Sequence, residues 1–223
     1  MKKYFLMLTC ILHWATSFAQ ETFWNCNKIT DDLTAWNEFD QSYGSNKKRA
    51  KELCKTFTLN SDGGIEQTYI IQGQKPVERE IIIGLIKKWI ATNFTNNSNV
   101  IKECTENHIR CQANWGKVAF YQVFIDCTII QAQLEINIYI KEDRLKFVIS
   151  TPHYILTSAS GGFETKVIAI ANTFPYKKDS DHKESYSMAF LNTFSSTLTV
   201  SKNFITFLNA HINDNKKNDF DDW

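Results

Sequence analysis

Residues 136–150 read INIYIKEDRLKFVIS, and no other stretch limits the fold as tightly. Ile136, Ile138 and Ile140 hold every second position, and Leu145, Phe147 and Ile149 do the same beyond the charged bend Lys141-Glu142-Asp143-Arg144. Successive side chains of a strand point to opposite faces, so this period predicts an antiparallel pair with one aliphatic and one polar face. The strands run from about Gln133 to Lys141 and from Arg144 to Thr151. Asn137, Tyr139, Lys141, Arg144 and Lys146 belong to the polar face.

The aliphatic face needs a cover, and two segments supply one. In KPVEREIIIGLIKKWIATNF, Val77, Ile81, Ile82, Leu85, Ile86, Trp89, Ile90 and Phe94 recur at helical steps. Pro76 suits a first turn, where its missing N–H costs nothing. Glu78 and Glu80 lie near the positive start, and Lys87 and Lys88 near the negative end. Trp89 falls in the buried stripe. A second helix is expected from Ser185 to Ile212, where Phe190, Leu191, Phe194, Leu198, Phe204, Ile205, Leu208 and Ile212 share one phase. Thr197, Thr199 and Val200 lower helix propensity, which predicts a break over residues 198–202.

The remaining strand signals are shorter. KTFTLNS and GIEQTYIIQ flank the turn Asp62-Gly63-Gly64; NVIKEC, HIRCQA, the stretch Val118–Ile130 and KVIAIAN follow. Gly44 to Arg49 reads as a solvated linker, and the segment before it carries only a weak helical period. Strands with one dry face and amphipathic helices with one dry stripe are satisfied together in two layers. The expected fold class is therefore α+β, a curved antiparallel sheet with two main helices on one face.

The start MKKYFLMLTCILHWATSFAQ has the form of a secretory signal peptide, with Lys2 and Lys3, an apolar run, and Ser17-Phe18-Ala19 at the cleavage position. The apolar run is shorter than the roughly 20 residues a bilayer span needs. No later segment is apolar enough to span a membrane. The protein is thus expected to be exported, to the periplasm or the extracellular space. Loss of Lys2 and Lys3 leaves 23 basic against 24 acidic residues, a net charge of −1. Nucleic-acid binding draws its affinity from Lys and Arg on phosphates, and this charge argues against it. Cys26, Cys54, Cys104, Cys111 and Cys127 remain, an odd set in a compartment that permits disulfides.

Residues 51–212 resemble an exported bacterial family, domain of unknown function four-four-six-eight, with a TBP-like fold. YIIQG, the helix ending IKKWIATNF, the strands VIKEC and IRCQA, and the pair EINIYIKEDRLKFVIS carry the resemblance, together with the acidic end Asp221-Asp222-Trp223. The family's usual Lys-Asp-Gly turn is replaced here by Lys141-Glu142-Asp143-Arg144. The resemblance implies an antiparallel sheet with two helices and no known activity. The chain divides as leader 1–19, extension and linker 20–50, domain 51–212 and acidic tail 213–223.

Reaction motifs are scarce. There is no Gly-x-Ser-x-Gly, His-Glu-x-x-His, phosphate-binding loop or Gly-x-Gly-x-x-Gly after a strand. The densest cluster is CTENHIRC, open to three readings: a Cys104–Cys111 disulfide across a hairpin, packing cysteines, or zinc ligands Cys104, His108 and Cys111 without a fourth. Nothing in the spacing pairs Cys111 or Cys127 with His108 or His153 as nucleophile and base. No catalytic residue, metal or cofactor is assigned. The leading expectation is a non-catalytic binding or assembly module of the bacterial cell envelope. It would meet an envelope protein or extended peptide through Tyr139, Lys141, Arg144 and Lys146. The alternative is a small periplasmic hydrolase or zinc enzyme centred on Cys104, His108 and Cys111.

Overall fold

The computed structural model describes residues 24–74, 76–94, 97–158, 164–175 and 182–218. The leader, the stretches 159–163 and 176–181, and Asp221-Asp222-Trp223 lie outside them. The chain runs β1 (Trp24–Asn25), α1 (Asn27–Ser42), α2 (Asn46–Thr56), β2 (Ile65–Gly73), α3 (Arg79–Asn93) and the helical turn α4 (Asn97–Val100). It continues through β3 (Ile101–Cys104), β4 (His108–Val123), β5 (Asp126–Ile140), β6 (Arg144–Thr151), β7 (His153–Ser158) and β8 (Thr165–Ala169). The short turn α5 (Ile170–Thr173) precedes the long helix α6 (Lys183–Asn218). Among the described residues all strand pairs are antiparallel, in the order β1-β2-β6-β5-β4-β3, with β7 and β8 continuing from the near half of β5. The α+β class and the curved sheet with helices on one face stand as expected.

Alternation decides which face is dry. Ile136, Ile138, Ile140, Leu145, Phe147 and Ile149 are all buried, while Tyr139 between them is 44% exposed. Burying each such side chain is worth about 1.5–3 kcal/mol. Ile82, Leu85, Ile86, Trp89 and Ile90 of α3 meet this face, and so do Leu198, Phe204, Leu208 and Ile212 of α6. The earlier half of α6 covers a second core through Tyr186, Ala189, Phe190 and Leu191, packed against Ala119, Ile130, Ala132, Tyr154 and Leu156.

The sheet bends between these cores. On β4 the register slips between Trp115 and Lys117 and again between Lys117 and Ala119. Such bulges insert residues on one strand and increase its local twist. On the other side of β5, Pro152 separates β6 from β7. Gly64 packs into this corner, where a Cβ would lie 2.8 Å from both the Pro152 Cα and the Thr151 carbonyl oxygen.

Four sequence expectations change. Gly44–Arg49 is not a linker: Ser45 caps α2 by accepting the Lys48 N–H, and Ala50 and Leu53 are buried. Lys55–Ser61 is not a strand, because α2 continues to Thr56 and Asn60 then folds an Asx turn, its side-chain oxygen accepting the N–H groups of Asp62 and Gly64. Val118–Ile130 is not one strand; it is the end of β4, a tight turn at Phe124-Ile125, and the start of β5. Phe124 adopts φ 55°, and the two turn residues are 94% and 91% exposed. The long helix has no break at 198–202: Thr197 Oγ1 donates to the Phe194 carbonyl at 2.7 Å and Ser201 Oγ to the Thr197 carbonyl at 2.8 Å. Hydroxyls satisfied within their own helix can be buried at little cost.

The ends of the described chain meet. The Trp24 N–H donates to Asn209 Oδ1 of α6 at 2.9 Å, and Trp24 belongs to the same core as α3. No described helix is long and apolar enough to cross a membrane.

Candidate functional site

The helix-free face of the sheet carries side chains in ordered rows, fixed by register. One row runs Ile70, Lys146, Tyr139, His108 across β2, β6, β5 and β4. The next runs Thr68, Val148, Asn137, Arg110. Ile70 is 65% exposed although it lies in mid-strand.

Contacts along the first row hold Tyr139 upright. The His108 ring stacks on it with centroids 4.6 Å apart, and Lys146 Nζ lies 5.6 Å from its centroid on the other side. His108 is fixed in turn by Asn137 Oδ1 at 3.1 Å from Nε2 and by Glu103 at 3.6 Å from Nδ1. Arg110 and Glu135 form an ion pair at 3.1 Å. Ordered aromatic and cationic groups lose little rotamer freedom when a partner covers them.

Of the four residues expected on this face, the structure brings Tyr139 and Lys146 into contact. Arg144 is exposed one row further along, opposite Gln72, with its Nε 3.5 Å from Asp143. Lys141 lies past the end of β5, where its N–H donates to the Arg144 carbonyl. It borders a shallow depression shared with Arg79, Asn107, Tyr139, Glu142 and Asp143. Ile70 and His108 were missed as partners of Tyr139. Their side-chain parity was legible, but the pairing of β2 and β4 with the central ribbon was not.

The cysteine cluster does not assemble. Cys104 is exposed and Cys111 buried, and the five described cysteines are all free. The register sets Cys104 opposite Ile109 and Cys111 opposite Ile101, so the expected Cys104–Cys111 disulfide is not formed in this structure. His108 and Cys111 are three residues apart on one strand and point to opposite faces, which prevents them from sharing a metal. Burial pushes the Cys111 thiol up to about 12, so it stays protonated and unreactive at neutral pH. Among the described residues no group of three or more His, Cys, Asp or Glu side chains is placed to hold a metal ion.

No family model matches the chain, and no curated protein matches it. Two solved structures are similar in shape. One is a TBP-like protein from Parabacteroides distasonis, at TM-score 0.47 and 13% identity, covering 68% of this chain and 97% of that one. The other is a DUF4468 family protein from Bacteroides ovatus, at TM-score 0.43 and 14% identity, covering 66% of this chain and 88% of that one. The α+β architecture itself stands on the strand register.

Proposed function

We propose that the protein is a non-catalytic binding or assembly module of the bacterial cell envelope, engaging a protein partner or an extended segment of one through its open sheet face. The observation that supports this is the Ile70–Lys146–Tyr139–His108 row, an aliphatic and an aromatic group exposed on one face and braced by side chains on both sides of Tyr139. Interfaces concentrate their energy in a few central aromatic and Arg side chains within a polar rim, and Arg110, Arg144 and Glu135 supply such a rim. Glu103 and Glu135 stand beside the basic groups of the face, a mixed charge that favours a protein surface over a polyanion.

The test uses the mature protein immobilised against envelope extract, with the recovered partner identified, purified and titrated. The double variant Tyr139→Ala, Lys146→Glu should weaken that partner by about tenfold or more. An unchanged affinity removes the sheet face from the reading.

A further inference from the structure

One stretch of sheet edge is left without a neighbour. β3 pairs with β4 only as far as Ile101 opposite Cys111, so from Gln112 onward β4 has β5 on one side and, among the described strands, none on the other. Alternate residues of a strand turn their backbone N–H and C=O to the same edge. The Asn107 carbonyl accepts the Ile140 N–H from β5, and the His108 carbonyl accepts the Thr105 N–H on the β3 side. Even-numbered residues in this part of β4 therefore face the β3 side. Asn114, just ahead of the bulge at Trp115, turns both its N–H and its C=O to the bare edge. No described backbone or side-chain group bonds either one. Beyond the bulge the Asn192 side chain of α6 donates to the Val118 carbonyl and closes the edge again.

The gap opens into a cleft of about 570 Å³. The end of α3, the turn α4 and the middle of α6 wall it, through Phe94, Val100 and Val200. Register decides what stands on each side of the edge. Ala113 and Leu134, opposite one another, are buried toward the helices. The next pair, Asn114 and Gln133, lies on the helix-free face together with Gln112. The edge is thus apolar on its inner side and amide-bearing on its outer side, which is how a strand presents itself to the strand beside it. Charged residues make up 22% of the chain, yet Lys102 is the only charged residue lining the cleft among the described ones.

We propose that this gap takes up a short extended segment of another protein, added as a strand beside β4, in which apolar and uncharged polar side chains alternate. Unpaired backbone groups on an edge are a template for another chain, and sheets otherwise cover or blunt them. A segment lying in line with β3 gives Asn114 its two missing backbone bonds. Its apolar side chains then meet Ala113, Val100 and Val200, and its polar ones lie beside Gln112 and Asn114. In such additions main-chain bonds supply affinity and alternate side chains supply specificity. A segment with charges along one face would find a single ammonium and no carboxylate. The helical walls recess the edge, which suits a lone strand and obstructs the edge of a second folded sheet, so the occupant is not another copy of this chain. The site is separate from the Tyr139 row and does not depend on it.

The experiment titrates the mature protein by calorimetry with end-blocked heptapeptides that alternate Val, Leu or Phe with Thr and Gln. At least one should bind at a single site with Kd below about 1 mM, and hydrogen exchange at the Asn114 amide should slow in the complex. Only one edge of an added strand meets β4. N-methylation of one alternate set of that peptide's amides should therefore abolish binding, and N-methylation of the other set should leave it within about threefold. Asn114→Pro removes the edge donor without removing a β4–β5 bond and should weaken binding about tenfold or more, while Asn114→Ala keeps the donor and should bind as the parent does. The Tyr139→Ala, Lys146→Glu pair should leave binding unchanged, which separates this site from the sheet face. The proposal fails if no peptide binds up to about 1 mM, if both N-methylated forms bind or neither does, or if exchange at Asn114 is unaffected by the peptide. It fails also if the free protein is a dimer that Asn114→Pro dissociates, since a second copy then holds the edge. Should Asn114→Pro not fold, the N-methylated pair and the Asn114 exchange decide.

Discussion

Under β2, β6 and the far half of β5, the Phe147 ring lies stacked on Phe204 at 4.4 Å, and Trp89 meets Phe204 edge-on at 4.8 Å. Under β7 the largest fully buried ring is Tyr154, and its neighbours include Ala119, Ala132 and Ala189. The Tyr154 and Thr193 hydroxyls face one another there without reaching hydrogen-bond geometry. The first core is filled by large β-branched and aromatic groups held between α3 and α6. The second mixes Ala50, Ala119, Ala132 and Ala189 with Tyr154, Tyr186 and Phe190. The difference teaches where each half is vulnerable: the first above all to lost volume, the second at the facing hydroxyls of Tyr154 and Thr193.

The largest expected effect breaks the dense half. Phe204→Ala should cost about 3–5 kcal/mol in a urea or thermal titration, through lost transfer energy and a cavity that α6 cannot close. Because α6 crosses both halves, the two should still melt together; a split transition would show that the cores are independent. Tyr154→Phe sharpens the comparison from the other side. It removes a buried hydroxyl that lacks a partner, and stability should rise by about 1 kcal/mol. A loss of similar size would mean that the hydroxyl is paired in solution.

The smallest effect is a pH dependence. Burial pushes Cys111 in the first core up to about 12 and Cys54 beside the second up to about 11, from an ordinary 9.0. The unfolded thiols release their protons first, so each contribution is whole below pH 9.0 and is lost as pH rises through the folded value. Denaturant midpoints for the parent, Cys111→Ala and Cys54→Ala over that alkaline range should show the larger relief of the decline in Cys111→Ala. Taking differences between variants removes the similar contribution of the buried Tyr69 and Tyr154 phenols, which burial also raises. Equal slopes would mean that the two thiols are equally sheltered. A thiol count on unfolded protein, with and without reductant, checks their oxidation state.

Much of this architecture was legible before any coordinates. The period of two in Ile136–Ile149 placed six side chains inside and Tyr139 outside, and the period of 3.6 placed α3 and most of α6, because burial energy acts on faces rather than on single residues. The failures have physical causes. Phe124 and Ile125 are among the strongest strand formers, yet they form the turn and lie in solvent, so composition hid the hairpin. The basic start of α2 resembled a solvated connector, although Ala50 and Leu53 on its other face are buried. The unbroken helix at 198–202 depends on hydroxyls that bond back to their own turn, which propensity alone does not foresee. On the candidate face, Tyr139 and Lys146 were legible from parity, while Ile70 and His108 required knowing which strands flank the ribbon.

The hydrogen bond between the Trp24 backbone and Asn209 sets an order on maturation. A segment that emerges early is locked down by one that emerges late, across 185 positions of sequence. The first strand therefore has no finished dock until the final helix has formed. A carboxy-terminal truncation that removes Asn209 should leave Trp24 and its edge of the sheet open to any other chain with a strand to offer.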